Sequence, residues 1–199
     1  MLLTFPTHEG ASMAWLTIQP TTADTTIANA ITAHTTPNLE RASRLLTWGA
    51  NEKVLLAIAG GAWLYATYRP ALRPMTNHLL AVSMLSAILP HLLKAEIDQV
   101  RPDRLTVRGH WRGVPFSGRS RDAFPSGHAL HMGALASAAG LFPPPQRWIA
   151  RALAVTLSAT RILLLAHWAS DVAAGFAAGA LLERLVRPIT LGPRADHPV

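Results

Sequence analysis

The 199-residue chain contains no cysteine. A disulfide framework, a thiolate zinc site and a thiol nucleophile are excluded at once, while the redox compartment stays open. Charge is scarce as well: 15% of residues are Asp, Glu, Lys or Arg, against 50% apolar, and mean hydropathy is +0.22. That balance is too apolar for an ordinary soluble domain and low for a polytopic membrane protein. Lysine is nearly missing, with two residues against sixteen arginines, and residues 1–40 hold neither. No basic stretch precedes the short apolar run at 1–6, so the start does not read as a secretory signal.

What charge there is lies unevenly. The formal net charge is +7, and seven of the eighteen cations fall between Lys94 and Arg121. An arginine-rich cluster suits phosphate or anionic headgroups as well as it suits DNA. No nucleic-acid-binding motif accompanies it, so nucleic acid is not an expected partner.

The chain divides into a Thr-rich lead-in at 1–50, amphipathic or partly ordered, and a helical domain at 51–190. Five apolar segments follow the lead-in, at 54–68, 78–93, 129–142, 148–165 and 172–186. Each is rich in Ala and Leu and too long for a typical strand, which predicts an all-α bundle of about five long helices. Pro143-Pro144-Pro145 and the Arg69-Pro70 and Arg73-Pro74 pairs mark loops. Several segments fall short of the roughly 20 apolar residues a bilayer span needs. The connections still favour membrane embedding: if all five helices cross, Arg69, Arg73, Arg147, Arg151, Arg184, Arg187 and Arg194 share one side. The positive-inside rule makes that side cytoplasmic and leaves the cation-free start outside.

Three clusters carry chemistry. In the first, Lys94 and Arg101 stand seven residues apart, two helical turns, so both point from one helix face, and Pro102 follows. Two cations aimed at one spot suit a phosphate dianion; alone, they read equally as a solvated helix end with Asp98 pairing Lys94. In the second, Pro125-Ser126-Gly127-His128 precedes an apolar helix. Ser126 suits an N-cap, Gly127 lets an anion approach the backbone, and a helix N-terminus is itself an anion site. His128 beside that anion is placed to protonate a leaving oxygen; the plain alternative is a capped helix with a surface histidine. In the third, Arg161 lies within an apolar segment, and His167 and Asp171 follow four residues apart. On a continuous helix Asp171 would bond one nitrogen of His167, leaving the other free to attack. Arg161 is costly in an apolar setting unless it works; the plain reading is a structural His–Asp pair and a snorkelling arginine. The five-helix topology brings all three clusters to one end of the bundle, which the plain readings leave to coincidence.

These motifs together resemble the PAP2 (phosphatidic acid phosphatase type 2) superfamily, with the signature Lys-x6-Arg-Pro, Pro-Ser-Gly-His and Ser-Arg-x5-His-x3-Asp. Thr160 stands where the family's third motif usually has Ser and keeps the hydroxyl. The likeness spans about residues 78–185. It implies a helical bundle of the PAP2/haloperoxidase type, with His167 as nucleophile forming a phosphohistidine, Asp171 orienting it, and His128 as acid then base. Lys94, Arg101, Ser126, Gly127 and Arg161 would bind the phosphate, with no metal and no cofactor. The implied partner is a lipid phosphate or diphosphate in a membrane, most simply a bacterial inner membrane with the site facing the periplasm or exterior. Two other readings remain: a vanadium-dependent haloperoxidase, whose vanadate mimics phosphate, and a non-catalytic lipid-binding membrane protein. His131, His78 and His91 read as packing or interfacial residues. The loop at 103–122, with five arginines and Trp111, reads as a lid or a headgroup-contacting surface, or as a solvated basic loop.

Overall fold

A computed structural model of the chain describes residues 14–102 and 122–192. The lid reading of the basic loop therefore falls outside the described residues. Seven α-helices make up the fold: α1 (Thr22–His34), α2 (Pro37–Leu46), α3 (Glu52–Tyr65), α4 (Arg73–Glu96), α5 (Gly127–Ala138), α6 (Pro144–Leu163) and α7 (Ala169–Leu191). Two short strands, β1 (Leu16–Thr17) and β2 (Ile97–Asp98), pair in parallel.

The helix starts follow local chemistry. Thr21 caps α1 in a capping box with Asp24, Thr36 caps α2 with Pro37 in its first turn, and Asn51 accepts from the Lys53 and Val54 amides at the start of α3. The triple proline read as a loop instead opens α6, with Pro144 and Pro145 in the first turn. Proline's missing N–H costs nothing there, and its fixed φ suits the helix. The lead-in at 22–46 forms α1 and α2.

Helix α5 is the innermost element, with Ala129, Leu130, His131, Met132, Gly133 and Ala134 all buried. Along it lies α7, and the two backbones approach through glycine. A Cβ added at Gly133 would run into the Phe176 carbonyl, and one at Gly179 into the Leu130 carbonyl. Helices α4 and α6 flank this pair, and α3 packs outside α4.

Successive long helices run up and down. One end is tied by Arg161 Nη1 donating to Thr47 Oγ1 at 3.2 Å; the other is tied by Trp63 Nε1 donating to Asn77 Oδ1 at 2.9 Å. At that second end sits a buried polar knot. His78 of α4 bonds Glu183 Oε1 through Nε2 at 3.0 Å and Thr190 Oγ1 through Nδ1 at 2.6 Å. Ser137 of α5 donates to Glu183 Oε2, and Arg187 grips both carboxylate oxygens at 2.8 and 2.9 Å. His78 and Glu183 are fully buried, so these bonds offset desolvation that would otherwise be prohibitive.

The outer faces are apolar. Ile58, Ile88, Leu92, Ile149, Leu153 and Ile189 are each at least half exposed. Among the described residues one helix, Pro70–Glu96, is long and apolar enough to cross a bilayer, with 27 residues and a mean hydropathy of 1.4 in its best window.

Candidate active site

Three motifs separated in sequence converge at the end of the bundle opposite the polar knot. Each is built by a short irregular segment joined to a helix end.

The first departs from its sequence reading. Helix α4 stops at Glu96 and the chain turns into β2, so Lys94 is helical and Arg101 is not. The two cations do not share a helix face, yet both reach the same carboxylate. Arg101 Nε donates to Asp122 Oδ1 at 2.8 Å, and Lys94 Nζ lies 3.8 Å from Asp122 Oδ2. Arg101 Nη1 also donates to the Ala166 carbonyl at 3.2 Å, one residue before His167. The whole segment is held from the side, since the Ala123 amide donates to the Gln99 carbonyl and Trp168 Nε1 to the Val100 carbonyl.

The second motif forms as its residues suggest. Ser126 is buried and caps α5, accepting from the Ala129 amide at 3.4 Å. Its own amide donates to the Asp171 carbonyl at 3.2 Å, stitching the start of α5 to the start of α7. Gly175 permits this, because a Cβ there would sit 2.5 Å from the Ser126 oxygen. Gly127 and His128 form the first turn of α5, where the free N–H groups and the helix dipole favour an anion.

The third motif is not one continuous helix. After α6 the chain tightens, with the Ala166 and His167 amides both donating to the Arg161 carbonyl at 3.0 and 3.3 Å. Leu165 takes a left-handed backbone at φ 51°, a conformation costing a leucine about 1–2 kcal/mol. Its buried side chain, packed with Ala28, Ala123 and Trp168, holds it there. This break frees His167 from helical register with Asp171. His167 Nδ1 meets the Ala123 carbonyl at 2.6 Å, so that nitrogen carries the proton; the nearest Asp171 oxygen is 3.8 Å away. Asp171 instead accepts the Trp168 amide at 2.9 Å, capping α7, and its carboxyl is fully buried.

The imidazole of His167 is 3% exposed. Burial, and then the positive charges of Arg101, Arg161 and Lys94, hold its pKa well below the ordinary histidine range against the pull of the Ala123 carbonyl. It is neutral at pH 7. Those same three cations act on His128, so every charged member of the sequence-derived set bears on one spot. Arg161 engages Thr47, but its Nε is buried with no hydrogen-bond partner among the described residues, leaving donor capacity for an anion. His131, one turn below His128, is buried with both ring nitrogens likewise unpaired. Among the described residues no three His, Asp or Glu side chains gather as metal ligands would.

Several residues of this end escaped the sequence reading. Asp122 pairs with both Lys94 and Arg101, Thr47 holds Arg161, and Gln99 lies buried beside Asp171. Asp24, from the lead-in, bonds Ser170 beside Asp171. None had a motif to mark it.

A sequence profile described as the PAP2 superfamily matches residues 76–192. The chain is similar to proteins named lipid A 1-phosphatase from Rhizobium johnstonii and Rhizobium etli. The first is 40% identical over 109 residues, covering 54% of this chain and 45% of that protein. The second is 39% identical over 109 residues, covering 54% and 47%. The chain thus spans about half the length of the curated relatives it matches. Its fold is similar to that of a transmembrane PAP2-type phosphatidylglycerolphosphate phosphatase from Bacillus subtilis, with TM-score 0.67, 24% identity and 84% of each chain covered. Aquifex aeolicus LpxE superposes with TM-score 0.65 and 20% identity over 80% of this chain and 92% of that one.

Proposed function

The chain belongs to the PAP2 superfamily, and from that membership and the geometry of its site we propose that it is a metal-independent phosphatase of a membrane lipid. The observation that carries the reading is the state of His167: buried, neutral, its Nδ1 tied to a backbone carbonyl, and three cations around it. Such a ring offers Nε2 as a nucleophile toward an anion the cations would bind.

In the proposed reaction Lys94, Arg101, Arg161 and the amides at the start of α5 hold the phosphoryl oxygens. His167 Nε2 attacks phosphorus, the P–O ester bond breaks, and His128 protonates the leaving oxygen. His128 then takes a proton from water, the water oxygen attacks phosphorus, and the P–N bond of the phosphohistidine breaks to release phosphate. Little covalent work falls to the protein beyond positioning and charge stabilisation.

The apolar outer faces, the span-length helix and an open apolar groove of about 430 Å³ between α6 and α7 support a lipid environment. The names of the two relatives make a lipid A 1-phosphate the first substrate to try, beside undecaprenyl diphosphate, phosphatidylglycerophosphate and phosphatidate. For the setting, we infer a bacterial inner membrane with the site facing the periplasm. Arg69, Arg73, Arg147, Arg184 and Arg187 belong to the opposite end, which suits that orientation.

The test is phosphate release from this lipid panel in detergent with EDTA, by wild type and His167→Ala. Turnover lost in the variant upholds the reading and names the headgroup. Folded wild type that releases no phosphate from any of them overturns it.

A further inference from the structure

Residues 16–31 precede the stretch matched by the family profile, yet they touch every segment that builds the site. The Ile18 amide donates to the Asp98 carbonyl at 2.9 Å, and β1 pairs with β2, the strand standing between Lys94 and Arg101. Ala28 of α1 is buried against Ala123, Leu165 and Trp168, with Ile31 packed on the same cluster. Ala123 supplies the carbonyl that holds His167, and Leu165 is the left-handed residue that turns the chain toward it.

Asp24 makes the most direct connection. It is 2% exposed, and its Oδ2 accepts from the Thr21 amide and hydroxyl at 2.9 and 2.8 Å. Across 146 residues, Oδ1 accepts the Ser170 amide at 2.8 Å and Oδ2 the Ser170 hydroxyl at 2.8 Å. Ser170 sits in the first turn of α7, where backbone amides lack helical partners. Asp24 therefore caps a helix other than its own, at the residue between His167 and Asp171. Burial would raise its pKa, but the bonds from Ser170 and Thr21 outweigh that and hold it below the usual carboxylate range. Its charge adds to the capping by opposing the dipole of α7.

We propose that Asp24 is a positioning residue of the active site, pinning the first turn of α7 through Ser170 so that His167 and Asp171 keep their alignment with the bound phosphate. Residues 16–31 are then a brace for the catalytic end rather than a passive leader. This rests on the phosphatase reading, because alignment is measured through turnover.

The experiment uses the full chain in detergent and a water-soluble aryl phosphate, so that lipid presentation does not enter. Wild type, Asp24→Ala, Asp24→Asn and Ser170→Ala are compared well below their melting temperatures, with kcat expressed per folded molecule. Asp24→Ala is expected to lower kcat about 10- to 100-fold, the cost of displacing a catalytic group by an ångström or less, with KM changed less than about threefold. Asp24→Asn keeps an acceptor for the Ser170 amide and is expected to recover part of kcat; Ser170→Ala, which loses one bond of two, should fall between. If Asp24→Ala does not fold, Ser170→Ala carries the test. Unchanged kcat per folded molecule, with only the melting temperature lowered, overturns the inference while leaving the phosphatase reading intact. A wild type inert toward aryl and lipid phosphates alike overturns both.

Discussion

His167 gives its Nδ1 proton to the carbonyl of Ala123 at 2.6 Å, and the carboxylate of Asp171 stands off at 3.8 Å. A backbone carbonyl cannot be protonated or mutated away, so it fixes the tautomer unconditionally. In a triad where the carboxylate holds the ring, its amide variant loses about 10⁴-fold in kcat because the tautomer flips. Here Asp171→Asn leaves the tautomer in place. Burial raises the Asp171 carboxyl to about 7, so it is only partly charged near neutrality, and we expect a loss nearer 10²-fold from the weaker electrostatic support of the phosphorylated ring. A fall beyond 10⁴-fold in a folded variant would transfer the orienting role to Asp171.

The depressed pKa of His167 has a sign that two measurements read. In the folded protein the ring stays neutral well below pH 6.5; in the unfolded chain it takes a proton near pH 6.5. The unfolded state therefore binds more protons below that pH. This contribution to stability is whole above about 6.5 and is lost as pH falls toward the folded value. On acidification from pH 7 to 5 wild type should lose more melting temperature in detergent than His167→Gln, while Asp171, raised to about 7 by burial, takes up a proton in the folded state and acts with the opposite sign in both. With its carboxyl at about 7, Asp171 also adds a kinetic limb of its own. In Asp171→Asn the remaining acid limb of kcat/KM should lie below 6.5 once the substrate's own ionisation near 6 is accounted for. A limb above 6.5 that persists in Asp171→Asn and belongs to the enzyme would contradict a buried neutral nucleophile.

Asp122 occupies two of the three cations proposed to hold the phosphate. Removing its charge while keeping its shape should leave Lys94 and Arg101 freer to bind an anion. Asp122→Asn is expected to tighten inhibition by vanadate about tenfold, or roughly 1.4 kcal/mol. Weaker inhibition would mean that Asp122 mainly holds Arg101 in place.

At the far end, Glu183 joins α4, α5 and α7 through His78, Ser137 and Arg187. Glu183→Ala removes the carboxylate that the buried His78 and the half-buried Arg187 share, and should cost about 3–5 kcal/mol. Thermal unfolding in detergent reads this. The residual folded protein should keep its kcat, since the knot lies at the other end of the helices. A fall in kcat per folded molecule would couple the two ends.

Helix existence was legible from apolar run length, and the convergence of three motifs was legible from topology. What escaped depended on contacts between distant residues. Arg101 looked helical because nothing in 94–101 marks a stop, and it is pairing with β1 that draws Ile97 and Asp98 into a strand. His167 and Asp171 looked like a helical pair because Leu165 has no local reason to turn left-handed; the pocket made by Ala28, Ala123 and Trp168 provides it. Asp24 stands three residues after Thr21 and closes the capping box of its own helix. Its second bond, to Ser170, has no periodicity to betray it.

The glycine seam between α5 and α7 has a consequence for motion. With carbonyls of each helix seated where Cβ atoms would be at Gly133 and Gly179, the two helices cannot slide past one another without backbone meeting backbone. His128 and Asp171 therefore ride on a single rigid rail. The give that a substrate's entry requires then falls to the elements packed around that rail, among them α6, which meets α7 across an open groove.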